Sequence, residues 1–379
     1  MIASCRELAD HMKSLQESRL SEFNCQMSSP FFSVLIPSYN RPELIAAAVA
    51  SVLTNDWTDF EVIISDNQSP RKSEIVAVLQ PYLDDPRVHL HLQPINLFEA
   101  GNRDFLFQTA RGEWQVVLCD DDKLYPHALS SLAAAISQQP AADFFAFGYT
   151  VIDEHDRVSF SRRAPKPLLI SAQDERLMRE VLVADALPFW LYHPATFCSR
   201  RSVHDRIKPN REIGIGDDLT FLIDYINAGG AIQVVPDVLM YYRKMNAGQT
   251  QLQMNQSAGN LPNLITRAKI LLHLTARQDL QPAIASFVAS RDFRRRILYD
   301  PVIWAGFPPD EVLSHVSLPA AWARELAESF HHHWHSTYRL RLSLRRLGFF
   351  VSVFGCAGLV ALGSVFLQKL RTLPSNPPA

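Results

Sequence analysis

From residue 30 to residue 153 the chain alternates short, nearly pure apolar runs with amphipathic stretches of helical length, and that alternation leaves few folds open. The run FFSVLIP (31–37) has strand length and ends at a proline. FEVIIS (60–65), VHLHL (88–92), WQVVLC (114–119) and DFFAFGYTVID (143–153) repeat the pattern. A run that is apolar on both faces suits a strand buried between two layers of helix. Between the first two runs, Leu44, Ile45, Ala48, Val49, Val52 and Leu53 share one helical face, with Pro42 in the first turn, where its missing N–H costs nothing. Further helices are expected near 71–83 and 98–110, and another opens at Pro126. The sequence therefore predicts an α/β domain over 30–245, a mostly parallel, Rossmann-like sheet flanked by helices. A polar helical leader (1–29) precedes it, and a helical extension (246–346) and an apolar tail (347–379) follow.

In open α/β sheets ligands bind beyond the C-terminal ends of the strands. Three of the expected ends are polar: Ser38-Tyr39-Asn40, Asp66-Asn67 and Asp120-Asp121-Asp122. Parallel strands would bring them to one rim. A single strand-end aspartate often just caps the next helix, but three polar ends, one of them triply acidic, point to a site. Carboxylates are hard oxygen ligands suited to Mg²⁺ or Mn²⁺, which usually share their shell with substrate phosphates. A short loop of aspartates leaves most coordination positions open, and a diphosphate would fill them. The competing reading is an exposed acidic turn. A second pair, Asp217-Asp218, opens a helix that ends at Gly229-Gly230, where it could complement the helix dipole or supply a general base.

The remaining features narrow the class. A net charge of −2 gives no bulk attraction for nucleic acid, and none is expected as a partner. The five cysteines are scattered without CxxC spacing, which fits a reducing compartment and neither a disulfide framework nor a zinc site. The N-terminal stretch is charged throughout and lacks the apolar core of a secretory signal. Leu347 to Leu367 carries no charge, and as a helix of about 1.5 Å per residue it would be roughly 31 Å long, enough to cross a hydrocarbon core. Arg339, Arg341, Arg345 and Arg346 precede it and Lys369 and Arg371 follow, so the tail is expected to associate with a membrane, spanning it or lying in its interface. His331 and His335 share a helix face but have no nearby carboxylate or cysteine, and are read as surface residues.

Four blocks in order carry a resemblance: VLIPSYNRPELIAAAVASVL, FEVIISDNQS, NLFEAGNRDFLFQTARGEWQVVLCDDDKLYP and GDDLTFLIDYINAGGAIQVVPDVLMYYR. Over about residues 31–244 the chain resembles the family 2 glycosyltransferases, inverting enzymes of the GT-A fold that use nucleotide sugars. The resemblance implies that Pro37, Ser38, Tyr39 and Arg41 line the nucleotide and that Asp66 meets its base, commonly uracil. It implies that Asn102 and Arg103 lie close by, that Asp120 lies near the ribose, and that Asp121, with Asp122 beside it, holds the metal. Asp218 would be the base, preceded by Asp217. Two departures stand out. Met245 occupies the place of a histidine that often follows YYR and helps the metal or diphosphate, leaving His193 or Arg243 to compensate, with Arg243 expected to meet the nucleotide sugar, and Cys119 replaces the first aspartate of a common DxDD form. The implied partners are a nucleotide-sugar donor, most simply a UDP-sugar, and a glycan or lipid-linked acceptor. The implied place is the cytoplasmic face of a membrane, in surface polysaccharide assembly.

Two rival classes fit these residues less well. A haloacid-dehalogenase-like phosphatase also puts its acidic motif after an apolar strand, but Leu124 stands where that motif needs Thr or Val, and the block 31–66 is left unexplained. An inactive transferase-like scaffold tethered to a membrane would have little reason to keep both acidic pairs.

Overall fold

The computed structural model describes residues 29–164, 166–173, 194–209, 217–244 and 261–290, together with Phe293 and Trp322. Two compact units are distinguished, residues 1–253 with 269–296, and residues 254–268 with 297–379; the sheet belongs to the first.

The first half follows the expected alternation: β1 (Phe32–Ser38), α1 (Pro42–Leu53), β2 (Phe60–Asp66), α2 (Lys72–Leu79), β3 (Val88–Leu92), α3 (Phe98–Thr109), β4 (Trp114–Val117). A short β5 (Lys123–Leu124), α4 (Ala128–Gln138) and β6 (Phe144–Ile152) follow. Then come β7 (Val158–Arg162), β8 (Leu168–Ser171), β9 (Phe197–Arg200), α5 (Arg201–Arg206), α6 (Asp217–Asn227) and β10 (Ala231–Arg243). The described part of the C-terminal extension holds α7 (Leu261–Ala276) and α8 (Pro282–Ala289).

The strands form one sheet in the order β3-β2-β1-β4-β9-β6-β10-β5, with β7 beside β6 and β8 beside β10. β3, β2, β1 and β4 run parallel, as do β6 and β10. β9 lies antiparallel between β4 and β6. The central strands are buried on both faces, which is why their sequences are continuous rather than alternating: all of β2 and β6 is buried. Trp114 at the start of β4 is fully enclosed, edge-on to Phe145 at 5.5 Å. On α1, Pro42, Ile45, Ala48, Val49 and Val52 are buried, while Leu44 and Leu53 flank them half-buried.

The structure departs from the sequence expectation in three places. The fourth strand ends at Val117, although the Leu118 N–H still reaches the Leu35 carbonyl (2.9 Å). The pieces 232–236 and 238–243 are one strand, β10, whose pairing with β6 slips between Val234 and Val238. Pro236 falls in that gap, where a residue without an N–H does least harm. The short strands β5 and β7 to β9 were not expected. Among the described residues no helix is long and apolar enough to cross a membrane. The leader 1–28, His193, Met245, His331, His335 and the segment 347–367 lie outside the described residues.

Candidate active site at the strand ends

The three polar strand ends meet at one rim. Ser38 and Asp66 are register partners at the ends of β1 and β2. The Asn67 N–H donates to the Ser38 carbonyl (2.9 Å), and the Tyr39 N–H donates to Asp120 Oδ2 (3.1 Å) across from the end of β4. Leaving β4, the chain turns sharply, with the Asp122 N–H on the Cys119 carbonyl (3.0 Å), and this turn sets the three aspartates side by side.

Arg41 is the principal counter-charge. One of its terminal nitrogens lies 2.8 Å from Asp120 Oδ1 and 2.8 Å from Asp121 Oδ2. Arg41 also sits at the N-cap of α1, where its side chain makes no capping bond. A Ser, Asp or Asn at that position would be worth about 1 kcal/mol to the helix. Here the side chain is committed to the aspartates instead.

Arg243, at the end of β10, braces the turn from the other side. Its backbone N–H donates to Asp122 Oδ1 (2.8 Å) and its Nε to the Asp121 carbonyl (2.9 Å). The rest of its guanidinium binds the Asp153 carbonyl (2.8 Å) and Asp156 (2.5 Å), and Lys123 joins Asp156 at 2.9 Å. The turn between β6 and β7 thus anchors Arg243. The sequence reading overlooked this brace; its one local signal was the run DEHDR (153–157) between two strand-like stretches.

Burial keeps these acids from ionising freely. Burial first, and repulsion from Asp121 second, raise Asp120 to about 6 in spite of Arg41. Asp121 is raised by burial against the pull of Arg41 and Arg243. Asp122 is raised well above the carboxylate range by burial and by both neighbours. The Cys119 thiol is pushed up likewise, so it stays protonated and is a poor ligand for a hard cation.

These residues fit a divalent ion. Ligand atoms of Cys119, Asp121 and Asp122 lie within 4.8 Å of one another. Asp122 Oδ2 is buried with no hydrogen-bond partner among the described residues. A buried, unpartnered carboxylate oxygen beside a second carboxylate is costly unless a cation answers it.

Asp66 is fully buried, and both its oxygens are engaged by Ser69, one by the N–H (3.1 Å) and one by the hydroxyl. The Asn102 amide is held by Ser65, donating to its carbonyl (3.0 Å) and accepting from its hydroxyl (2.6 Å). Arg103 is buried, 3.4 Å from Glu99, and lines a cavity with Phe107, Gln115 and His204 beneath α3. Pro37 and Ser38 close β1, and Ser38 Oγ is buried without a partner among the described residues. Asp217 and Asp218 are the first residues of α6; their side chains lie outside the described residues.

The model of the family "Glycosyl transferase family 2" matches residues 33–206. Over 134 residues the chain is 34% identical to the GalNAc(5)-diNAcBac-PP-undecaprenol beta-1,3-glucosyltransferase of Campylobacter jejuni, a match covering 34% of this chain and 41% of that protein. It is 33% identical over 107 residues to the putative colanic acid biosynthesis glycosyl transferase WcaA of Escherichia coli, covering 28% of this chain and 38% of that one. These matches span less than half the length of either relative. Among solved structures, Staphylococcus aureus TarS 1-349 in complex with UDP superposes with a TM-score of 0.55 at 15% identity, covering 82% of this chain and 91% of that one. The mannosyltransferase PcManGT from Pyrobaculum calidifontis, in complex with GDP-Man and Mn2+, gives 0.51 at 14%, covering 87% and 88%. At such identities the likeness is one of fold, and the fold is GT-A.

Proposed function

Residues 33–206 belong to glycosyl transferase family 2, and from that premise we propose that the chain moves a sugar from a nucleoside-diphosphate donor to a hydroxyl acceptor with inversion. The observation that carries the proposal is the braced aspartate turn, with the unpartnered Asp122 oxygen facing a second carboxylate. Asp121 and Asp122 would hold Mg²⁺ or Mn²⁺. Such an ion, when bound, neutralises the diphosphate as it leaves.

The chain's own residues do the rest. Pro37, Ser38, Tyr39, Arg41 and Asp120 form the wall that receives the nucleotide, and Arg103 lies deeper behind it. Asp66 and Asn102 act through that wall, the first by fixing the loop that follows β2 and the second by tying α3 to β2. Arg41 is held by two carboxylates, and as a bidentate donor it suits phosphate equally well. Arg243 keeps the aspartate turn in register. At the start of α6, Asp218 takes the proton of the acceptor hydroxyl as its oxygen attacks the anomeric carbon. The bond from that carbon to the diphosphate breaks on the opposite face, which inverts the configuration. Asp217 precedes the base and supports its placement.

The family and the relatives' roles in glycan assembly favour a glycan or lipid-linked acceptor, presented at the cytoplasmic face of a membrane that the 347–379 tail would engage. The phosphatase alternative finds no support: the family model that matches residues 33–206 is that of a glycosyl transferase.

A panel of nucleotide sugars with Mg²⁺ or Mn²⁺, scored for release of the nucleoside diphosphate, tests the reading. Asp218→Asn is expected to bind donor normally while turnover falls about 10²- to 10⁴-fold. Full turnover by this variant would remove Asp218 from the role of base.

A further inference from the structure

An aromatic residue stands at the same rim in a conformation and an exposure that folding alone would not select. Phe98, the first residue of α3, has φ +58° and is 79% exposed. The left-handed region is unfavourable for a bulky side chain and free to glycine. Nor is the ring buried as compensation. With Leu92 (47%) and Ile95 (61%) it makes the stretch 92–98 unusually apolar for a surface.

The backbone around Phe98 is fixed with care. Asn67, which follows Asp66 at the end of β2, accepts the Leu97 N–H (2.7 Å) and donates to the Phe98 carbonyl (3.3 Å). The Asn67 amide also reaches Asn96 (3.1 Å), and Asn96 accepts the Phe98 N–H (2.8 Å). Gln68 ties down the Pro94 carbonyl (2.9 Å), and the Gln93 N–H binds the Asp66 carbonyl (2.9 Å). Two loops, 66–69 and 93–98, are thus stitched into one rigid wall that presents an aromatic face at the C-terminal edge of the sheet. Asn40 and Gln68, which leave β1 and β2 at this rim, share the left-handed conformation (φ +59° and +60°). Among functional sites, strain of this kind is retained where the geometry itself is used.

We propose that Phe98 is a positioning residue for the donor, its ring the platform on which the nucleobase stacks. This rests on the glycosyl-transfer reading above and adds to it the residue that grips the base. Stacking suits the observed site because the Asn67 amide and one end each of Asn96 and Gln68 are spent on holding the loops together, and the exposed ring of Phe98 is the large flat face that this wall presents. A π-face grips any base, so Phe98 would contribute affinity, with little choice among bases.

Uridine diphosphate, guanosine diphosphate and inorganic pyrophosphate, each with Mn²⁺, are titrated into the full-length wild type, Phe98→Gly and Phe98→Trp. Glycine accepts φ +58° without strain, so Phe98→Gly is expected to fold and to melt no lower than the wild type. Its affinity for both nucleotides is expected to fall about tenfold, with pyrophosphate unaffected and Trp restoring the loss. Unchanged nucleotide affinity in Phe98→Gly, or an equal loss for pyrophosphate, overturns the proposal. A wild type that binds pyrophosphate but neither nucleotide overturns the glycosyl-transfer reading itself, an outcome distinct from failure of the platform alone.

Discussion

The aspartate turn holds two buried carboxyls, Asp120 and Asp122, and a half-buried third, Asp121, all with raised affinity for protons, a local instability that a bound cation would relieve. Asp120 is raised to about 6, so in the absence of a cation its folded form holds a proton that the unfolded form releases near 3.8. The stability this group contributes is therefore complete below about 3.8 and is lost as pH rises through about 6. Asp122→Asn replaces a carboxyl that burial holds back from ionising in the folded protein but that ionises freely once unfolded, yet keeps an oxygen for the Arg243 N–H. The metal-free protein is expected to melt about 2–4 °C higher, for roughly 1 kcal/mol gained, while cation binding disappears. Calorimetry checks both, and a lower melting temperature would mean the turn is not under electrostatic stress. At this scale the aspartates were legible because a charge cluster after an apolar run is visible in one dimension. The brace from Arg243 to Asp156 was not, because it joins residues far apart in the chain whose types are ordinary anywhere on a surface. Asp66 is legible as an acid at a strand end, but its bonds to Ser69 through both oxygens are not.

At the level of elements, the parallel half of the sheet was legible because strands buried on both faces write themselves as unbroken apolar runs. β9 was not: it has four residues, FCSR, and its place between β4 and β6 depends on pairing rather than on any local pattern. Its neighbour α5 carries His204, which is stacked on Phe107 (3.7 Å) and Phe221 (5.3 Å) and linked through Nε2 to the Ser199 hydroxyl (2.7 Å). This imidazole joins α3, α5, α6 and β9. Burial among aromatic rings drives its pKa down to about 3. The unfolded chain takes up a proton near 6.5 and the folded one does not, so stability is complete above about 6.5 and is lost as pH falls toward 3. At pH 5 this costs about 2 kcal/mol. His204→Phe conserves volume and cannot titrate. Its urea midpoint is expected to lose this part of the drop between pH 7.5 and pH 5 that the wild type shows. An identical drop in both proteins would assign the acid sensitivity elsewhere.

On the scale of the whole molecule, the sheet places Tyr39, Arg41, the aspartate turn and Arg243 on one rim, while the proposed membrane contact falls to the tail 347–379. That tail is argued from its apolar run and basic flanks alone. Full-length protein is expected to float with vesicles containing anionic lipid. The double variant Val353→Arg, Leu359→Arg is expected to stay behind; equal flotation of the two would place membrane contact outside this segment. The central claim is that the aspartate turn after β4 holds a cation and, through it, the donor's diphosphate. Calorimetric titration of uridine diphosphate with Mn²⁺ into the wild type and Asp121→Ala tests it most directly. The account predicts binding that chelation or the substitution abolishes, whereas binding of equal strength in Asp121→Ala, or without a divalent cation, would contradict it.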